Sequence, residues 1–432
     1  MTIRSFLVSS RNIDRASTTW NAVAGLVSPL QSVLTLVLIS VFLGETQAGV
    51  YSIATAQAYL VWTIGAYGMR RFQASDVERR FSFREYVSSR AVTGGAMIVA
   101  AVILCGVMWW TGGYSPAKVA AVMLVTLLRV VDAVEDVIVG YLQQVGRLDV
   151  GAKVSALRLV VSTAAFMAAI VAGAGLLLSL GISLGLSVGS LLVLVGLVLR
   201  QFLHEGADRC ERGRIWSLLK ACFPLFLGSF LTLYISNAPK YGIDAVMDDQ
   251  AQARFNYLSM PAFVIQMFAM FAFNPLIYRM AQAWIGDSLA ELTRLVRRVL
   301  ALIAGVTTVC LVGGALVGLP VLSWLYHTDL SGYFWELIIL LAGGGFVAVA
   351  AFLSTVLTII RYQRVLLIGY AVSALFALSA GWWIRWRGLL GASLFNGAVF
   401  VVQCVIFAGI LGYGLTHRRI RSTNPSHTPE GV

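Results

Sequence analysis

The chain has 432 residues, of which 59% are hydrophobic and only 12% are charged. Soluble globular domains carry about 25% charged residues, so this composition excludes a water-soluble enzyme, and the apolar content excludes intrinsic disorder. The five cysteines lie far apart and the four histidines do not cluster with them, which argues against a disulfide framework and against a zinc site.

Apolar runs that are long enough to cross a bilayer follow one another along the chain. A hydrocarbon core about 30 Å thick needs about 20 apolar residues of helix. The predicted runs have approximate limits of 20–43, 48–68, 91–111, 118–141, 154–175, 178–199, 218–237, 254–277, 299–319, 334–360, 365–384 and 388–412. The sequence therefore predicts an all-α integral membrane protein with about 12 transmembrane helices.

The basic residues alternate between the two sides of the predicted membrane. With the amino terminus inside, and with residues near a span end counted with the adjoining segment, the inner segments hold 26 of the 32 Lys and Arg residues, the outer segments hold five, and Arg129 falls deep within a span. Cytoplasmic loops are enriched in Lys and Arg, so both termini are predicted to be cytoplasmic and the protein to lie in the inner (cytoplasmic) membrane. The net charge of +12 is thereby assigned to the inner membrane surface, and no nucleic acid partner is expected.

The predicted spans divide into two halves of six, separated by the charged segment 200–220. Each half has its longest inner loop between its second and third spans, at 69–90 and 278–298, and both loops have the pattern of an interfacial amphipathic helix. The predicted domains are an N-terminal six-helix lobe over 1–204, a C-terminal six-helix lobe over 205–413 and a basic cytoplasmic tail over 414–432. An even number of spans in each half inserts both halves the same way up, so a central cavity between the lobes is the expected substrate site.

The fourth predicted span carries charges at the depth of the lipid. It reads LLRVVDAVEDVIVGYLQQVGRLD, and Arg129, Asp132, Glu135 and Asp136 fall within about a 120° arc of one helix face. Each such charge costs about 2.5–3.5 kcal/mol at mid-membrane, so the four cannot all face lipid. Two interpretations stay open. The carboxylates form a site for ion or proton coupling, or the charges form a structural Arg–carboxylate network between helices.

Two basic residues outside this span also have alternative interpretations. Arg158, in the fifth span, either pairs with the carboxylates across the hairpin or extends to the inner interface. Lys240, on the outer side within SNAPKYGIDAVMDD, either pairs with Asp244 four residues later or holds an anionic headgroup at a cavity mouth. The chain contains no P-loop, no Ser-His-Asp or Cys-His set that can be nominated and no paired external carboxylates, so the sequence supports a transporter better than an enzyme.

Three stretches carry a family resemblance. They are GVYSIATAQAYLVWTIGAYGMRRFQASDVERRFSFREYVSSR (49–90), EDVIVGYLQQVGRLDVGAK (135–153) and SNAPKYGIDAVMDDQAQARFNYLSMPAFVI (236–265). In their order and spacing they resemble Wzx-type flippases for lipid-linked oligosaccharides, which belong to the multidrug/oligosaccharidyl-lipid/polysaccharide exporter superfamily. The similarity extends loosely over 18–412, and the SDV...SF..Y...R, Q-GRLD and NAPK-ID patterns are typical of the polysaccharide branch.

The resemblance implies a two-lobed transporter that moves an undecaprenyl-pyrophosphate-linked oligosaccharide from the inner to the outer leaflet by alternating access. Basic residues in the cavity of such proteins are thought to attract the pyrophosphate, although few basic residues lie deep in these predicted spans. Expected partners are the lipid bilayer, the polyprenyl-pyrophosphate-linked substrate, and the polymerase and glycosyltransferases of the same pathway, which assembles O-antigen, capsule or exopolysaccharide. The chain is expected to act as a monomer, with no cofactor other than a coupling H+ or Na+.

The residues and the resemblance together predict a site. The predicted headgroup and cavity residues are Arg70, Arg71, Arg129, Arg158, Lys240 and Asp244. The predicted ion or proton coupling residues are Asp132, Glu135 and Asp136, whose occupation would bias the alternation between states. Two alternatives remain at this stage. One is a multidrug or metabolite exporter of the same fold with a more aromatic and acidic cavity, and the other is a non-transporting membrane enzyme or scaffold of polysaccharide assembly.

Overall fold

The computed structural model describes residues 3–8, 12–76, 78–202, 212–286 and 288–423. The regular secondary structure of these residues is all helix, with no strand. The helices are α1 Ile3–Val8, α2 Ile13–Leu43, α3 Glu45–Ala66, α4 Met69–Ser75, α5 Phe83–Trp110, α6 Pro116–Gln144, α7 Leu148–Val171, α8 Leu176–Phe202, α9 Arg212–Val246, α10 Asp249–Phe273, α11 Ile277–Ile285, α12 Leu289–Gly313, α13 Leu319–Tyr326, α14 Phe334–Ile359, α15 Gln363–Ala377 and α16 Ala380–Thr423. The predicted lobe limit at 204/205 and the end of the predicted tail, 424–432, lie outside the described residues.

Many of these helices are long and apolar enough to cross a membrane, so the chain is a multi-pass membrane protein. Among the described residues, eight meet that description: Phe83–Trp110, Leu148–Val171, Leu176–Val198, Gly213–Val246, Asp249–Ile285, Leu289–Tyr326, Phe334–Ile359 and Ala380–Thr416. Helix α6 is not among them because of its charged side chains, and the apolar parts of α2 and α15 are shorter. A total of 12 spans remains a prediction.

Two predicted span limits differ from the observed helices. The run 365–384 is interrupted after α15, where Leu378 and Ser379 donate backbone N–H groups to carbonyls three residues earlier and end the α-helical ladder. The run 299–319 was expected to stop before Pro320, but helix continues to Tyr326. Pro320 has no N–H to bond the carbonyl four residues earlier, and that carbonyl lies in the π-helical turn Gly314–Gly318, where the regular α-helical hydrogen bonds are already interrupted.

The described residues divide into two compact units, Met1–Leu233 and Tyr234–Val432, and the division falls within α9. In the first unit α6 packs against α3, α4, α5, α7 and α8. This central position explains how a helix with so many charges is accommodated, because its polar face meets other helices.

In the second unit α14 has the central position and packs against α10, α12 and α16. The three consecutive glycines 343–345 each face a different neighbour. A Cβ atom at these positions would lie 3.2 Å from Asn396 Nδ2, 2.8 Å from Ala262 Cβ and 2.7 Å from Thr307 Oγ1, respectively. The run of glycines therefore allows three helices to approach α14 closely, as small residues do in membrane helix packing.

A π-helical turn, Gly314–Gly318, joins α12 to α13 without ending the helix. Beyond it, the Tyr326 ring of α13 stacks on the Tyr257 ring of α10, with centroids 4.0 Å apart and planes inclined by 15°. Both rings are almost completely buried. The widened turn thus lies immediately before a segment whose rotation about the helix axis is fixed by aromatic packing.

The loop between α4 and α5 explains the SDV...SF..Y...R pattern in structural terms. The buried Asp76 carboxylate accepts two backbone N–H groups of the loop, at 2.9 and 3.2 Å, and the Tyr86 hydroxyl at 3.1 Å. Ser82 and Glu85 form a capping box that begins α5. These contacts fix the start of α5 and so the position of Arg90, two turns further along the helix.

The short helix α1 is held by the QQVGRLD segment that joins α6 to α7. Arg147 Nη2 donates to the Val8 carbonyl at 2.5 Å, and Lys153 Nζ donates to the Phe6 carbonyl at 3.0 Å. Leu7 is completely buried among residues of α6, α7 and α8. Basic side chains at the last carbonyls of a helix satisfy groups that have no intrahelical partner, so α1 is anchored to the first unit at its carboxyl end.

Candidate functional site

The polar face of α6 meets basic side chains from neighbouring helices in two adjacent clusters. The first, the Arg158 cluster, consists of Arg129, Asp132, Glu135 and Arg158. Arg158, from α7, contacts Glu135 Oε2 through Nη2 at 2.5 Å and through Nε at 2.9 Å, and Asp132 Oδ1 through Nη2 at 2.6 Å. Its Nη1 donates to Ser187 Oγ of α8 at 2.7 Å. One guanidinium thereby ties α6, α7 and α8 together.

Arg129 completes the Arg158 cluster on the side of α3. Its Nη1 lies 2.6 Å from Asp132 Oδ2 and 3.2 Å from the Tyr59 hydroxyl, and the guanidinium carbon lies 4.7 Å from the centre of the Tyr59 ring. Asp132 is therefore shared between Arg129 and Arg158. Two guanidinium groups face two carboxylates, so the charges of this cluster balance.

The second cluster, the Arg90 cluster, consists of Arg70, Arg90 and Asp136. Arg90 Nη2 lies 3.2 Å from Asp136 Oδ2, and Arg90 Nη1 donates to the Gly65 carbonyl of α3. Arg70 Nη1, from α4, lies 3.5 Å from Asp136 Oδ1. The Arg90 side chain is 4% exposed and that of Arg70 is 37% exposed. Two guanidinium groups share one carboxylate here, so this cluster carries one formal positive charge in excess.

Close packing at Gly140 sets the distance between α4 and α6. A Cβ at Gly140 would collide with Oε1 of the fully buried Gln73 and would lie 3.5 Å from Arg70 Cγ. A larger residue at this position would force the Gln73 side chain to move or α4 to shift away from α6. Gly140 thus positions Arg70 against Asp136, one turn earlier on α6.

A small cavity lies beside the Arg158 cluster, among α2, α3, α6, α7 and α8. Arg129, Asp132 and Arg158 form its charged wall. Hydroxyl and amide side chains that contribute to its lining are Gln31, Thr35, Tyr51, Ser162, Thr163 and Ser183. Its aromatic wall is made by Phe166 and the Tyr51 ring, with centroids 6.0 Å apart and planes inclined by 29°. The cavity therefore combines charged, hydroxyl and aromatic surfaces, and its volume of about 30 Å³ has room for one or two water molecules.

Six of the nine predicted site residues meet in these two clusters, and three lie elsewhere. Arg71 is an exposed residue of α4 and belongs to neither cluster. Lys240 and Asp244 lie on α9 within the second unit. No ion pair involves the Lys240 ammonium in the part of the chain that the structure describes. The three carboxylates are paired with four arginines, and of the two interpretations of Arg158 the structure has the pairing across the hairpin.

Sequence reasoning missed Arg90 and Tyr59. Arg90 was assigned to an inner loop because it follows a charged segment, but it lies within the first turns of α5 and is buried. The available signal was its place as the last residue of the SDV...SF..Y...R pattern. No group of three or more His, Cys, Asp and Glu side chains that could hold a metal ion occurs among the described residues.

Comparison with known proteins gives one family match and several structural matches. The family model described as "Polysaccharide biosynthesis protein" matches residues 15–284. The lipid II flippase MurJ in an inward closed conformation is 13% identical with a TM-score of 0.70, over 95% of this chain and 93% of that chain. An inward-facing multidrug resistance MATE family transporter of the MOP superfamily is 13% identical with a TM-score of 0.59, over 91% of this chain and 95% of that chain.

A MATE structure in the bent conformation is also similar, at 14% identity and a TM-score of 0.59, over 99% of this chain and 100% of that chain. No curated protein matches the chain. At these identities the structural likeness establishes the fold, which is that of the MurJ and MATE transporters of the MOP superfamily. The resemblance of the three sequence stretches to this superfamily is confirmed, whereas the count of 12 spans, the division into two six-helix lobes and the cytoplasmic termini stay predictions.

Proposed function

Because the chain belongs to the family of polysaccharide biosynthesis proteins, we propose that it is a flippase for a lipid-linked saccharide. The proposed substrate is an undecaprenyl-pyrophosphate-linked oligosaccharide repeat unit, moved from the inner to the outer leaflet of the cytoplasmic membrane by alternating access. The family and the fold together support a transporter rather than an enzyme. The glycosyltransferases that make the substrate and the polymerase that uses it are the proposed partners of this protein, which acts as a monomer.

The observation that carries this proposal is the excess of positive charge at one end of the polar face of α6. The Arg90 cluster holds two guanidinium groups and one carboxylate, and Arg71 adds a further exposed guanidinium on α4. Guanidinium groups bind phosphate oxygens through pairs of hydrogen bonds. Arg70 is partly exposed and Arg90 is buried, so Arg70 contacts the pyrophosphate in this proposal while Arg90 holds Asp136 in place.

The carboxylates of α6 compete with the substrate for the same arginines. Asp136 holds Arg70 at 3.5 Å, and Asp132 holds Arg129 and Arg158 at 2.6 Å. Protonation of a carboxylate removes its charge and releases a guanidinium for the anionic headgroup, so it favours the state that binds substrate. The proposed coupling ion is H+ rather than Na+, because a proton needs a single carboxylate oxygen, whereas Na+ needs several oxygen ligands and the carboxylates here are already paired with guanidinium groups.

Lys240 receives the headgroup near the outer side in this proposal. It lies one turn before Asp244 on α9 and makes no ion pair with the described residues, so its charge is available to an anionic group. Asp244 either orients the Lys240 ammonium or competes with the phosphate for it, in the way that Asp136 competes with the phosphate for Arg70.

The charge of the site favours a flippase over the exporter alternative. A multidrug exporter of the same fold would need an acidic site for cationic substrates, whereas the two clusters hold four arginines against three carboxylates. This balance suits an anionic substrate. No observation on the described residues favours a non-transporting membrane enzyme or scaffold.

Reconstitution in vesicles tests the proposal directly. A short-chain polyprenyl-pyrophosphate-linked saccharide is added to vesicles with and without the protein, and the leaflet is read with a membrane-impermeant reagent that oxidises sugars. We expect the protein to equalise the leaflets, and Arg70→Gln to slow transfer about tenfold or more through loss of a charge-assisted contact. Arg364→Gln, at an exposed position of α15, is the matched control and should be neutral. Transfer that is no faster than in protein-free vesicles would refute the proposal.

A further inference from the structure

We infer that the first turns of α12 bind the phosphate of an anionic phospholipid at the membrane surface. The site is formed by Arg294, Arg297 and Arg298, which together are called the arginine face. It belongs to the second unit, whereas the two clusters of α6 belong to the first. The inference therefore goes beyond the proposed function and does not depend on it.

The three arginines lie on the side of α12 that is opposite its packed side. At 100° per residue they fall within an arc of about 100°, and all three are exposed. The buried residues of this helix, which centre on the opposite side, are Leu292, Leu295, Val296, Val299 and Ile303. The arginine face is therefore directed away from the core of the second unit, so its neighbours are lipid and water.

The position of the arginine face along the helix matches the headgroup layer of a bilayer. From Val299 to Tyr326 the chain carries no charged side chain, and this stretch is about 40 Å long at 1.5 Å per residue. The hydrocarbon core of a bilayer is about 30 Å thick, and the headgroups bring the total to about 40–45 Å. Arg298 directly precedes the uncharged stretch, so the arginine face lies at one membrane surface, which the sequence predicts to be the inner one.

The protein does not neutralise the charge of the arginine face. Glu291, in the first turn of the same helix, is paired with Arg279 of α11 at 3.6 Å. No ion pair involves Arg294, Arg297 or Arg298 in the part of the chain that the structure describes. Guanidinium groups this close together repel one another, and a phosphate that accepts hydrogen bonds from two of them relieves the repulsion.

An exposed apolar surface continues from the arginine face along the same side of α12. Ala301 and Gly305 fall within the arc of the arginines, and a Cβ at Gly305 would meet nothing within 4 Å. Val309, close to the edge of that arc, is 72% exposed and lies about 16 Å along the axis from Arg298. That distance is about the hydrocarbon thickness of one leaflet. A lipid whose phosphate is held by the arginines therefore lays its acyl chains on an apolar helix surface.

Helix α11 completes this surface beside the start of α12. Tyr278 and Ile285, seven positions apart and thus on one side of the helix, are 70% and 80% exposed, whereas α11 packs against α12 and α14. The Trp284 ring is held by α16, because the guanidinium carbon of Arg418 lies 3.7 Å from the ring centre. A short helix with one packed side and one exposed apolar side is typical of the membrane interface. It places apolar contacts next to the arginine face at the same surface.

Native mass spectrometry of the purified full-length protein in a mild detergent tests this inference, because it counts bound lipids and gives their affinities. The probes are phosphatidylglycerol and phosphatidylcholine with the same acyl chains. We expect one phosphatidylglycerol to bind about tenfold or more tightly than phosphatidylcholine, since each basic side chain near an anionic headgroup strengthens binding about fivefold. The combined variant Arg294→Gln, Arg297→Gln and Arg298→Gln should lose most of that preference and leave the affinity for phosphatidylcholine unchanged.

A variant with the same loss of charge distinguishes a site from the general charge of the surface. Lys220→Gln, Arg361→Gln and Arg364→Gln together remove three exposed basic side chains at scattered positions of the predicted inner side. This control should keep the preference for phosphatidylglycerol. Arg297→Gln alone is a milder variant if the triple substitution in α12 does not fold, and it should weaken phosphatidylglycerol binding about two- to fivefold.

Three results would overturn the inference. The first is equal binding of the two phospholipids by the unaltered protein. The second is an equal loss of preference in the scattered control, because net charge and not the arginine face would then govern binding. The third is complete displacement of phosphatidylglycerol by inorganic phosphate at the same concentration, because the acyl chains would then contribute nothing. None of these results bears on the proposed flippase, which is tested by transfer of a saccharide-bearing lipid.

Discussion

Removal of the Arg158 guanidinium is expected to destabilise the first unit strongly. In Arg158→Met most of the aliphatic stem remains, but Glu135 loses its contacts at 2.5 and 2.9 Å, and Asp132 loses one at 2.6 Å. The Glu135 side chain is only 6% exposed, so water cannot replace the lost partner. Breaking a buried ion pair from one side costs about 3–5 kcal/mol, because the remaining charge is left uncompensated.

The double variant isolates the cause of that loss. Glu135→Gln removes the stranded charge, so Arg158→Met combined with Glu135→Gln should recover about 2 kcal/mol relative to Arg158→Met alone. The control is Arg80→Met, because Arg80 pairs with Glu78 at a similar distance, 2.9 Å, while both side chains are more than two-thirds exposed. An exposed pair contributes about 0–1 kcal/mol.

The assay is equilibrium unfolding of the purified protein in mixed micelles by titration with sodium dodecyl sulfate, followed by circular dichroism. The expected order of destabilisation is Arg158→Met, then the double variant, then Arg80→Met. If Arg158→Met were no more destabilising than Arg80→Met, or if Glu135→Gln failed to recover stability, burial would not govern this cluster and the argument from charge balance would be wrong.

Two further predictions concern the packing around the site and the anchoring of α1. Gly140→Ala should lower the free energy of unfolding by about 1–3 kcal/mol, because the new methyl group collides with the buried Gln73 side chain. Gly94→Ala is the control, because a Cβ there meets nothing within 4 Å, and it should be neutral or stabilising in the same titration. Arg147→Met should raise the rate of amide hydrogen exchange in α1 about five- to tenfold, because the Val8 carbonyl at the end of α1 loses a charged hydrogen-bond donor. Unchanged exchange, or the same increase in Arg80→Met, would contradict the second prediction.

The sequence was sufficient for the class of fold and for one face of the site. Residues on a single helix have known angular positions, so the spacing of Asp132, Glu135 and Asp136 identified the polar face of α6 before any packing was known. Arg158 was accessible to the same reasoning because it lies one short hairpin away.

The partners from more distant helices were not predictable in this way. Arg90 reaches Asp136 across 46 positions of sequence, and Tyr59 reaches Arg129 across 70. Such contacts depend on which helices pack together, and helix packing is decided by the fit of many small and apolar side chains that a hydropathy pattern does not resolve. The same limitation explains why the charge balance of each cluster emerged only from the structure.

The π-helical turn at Gly314–Gly318 lets this helix hold one residue more than a regular α-helix would hold between the same two ends. Removal of one residue from the turn would restore regular α geometry and leave Tyr326 facing Tyr257, because the surplus residue is the one that is lost. Removal of one residue from the regular part of α13 would instead rotate everything beyond it by about 100° and turn Tyr326 away from Tyr257. A single gap in an alignment is therefore tolerated at the π turn, whereas a gap a few residues later changes which surface the helix presents.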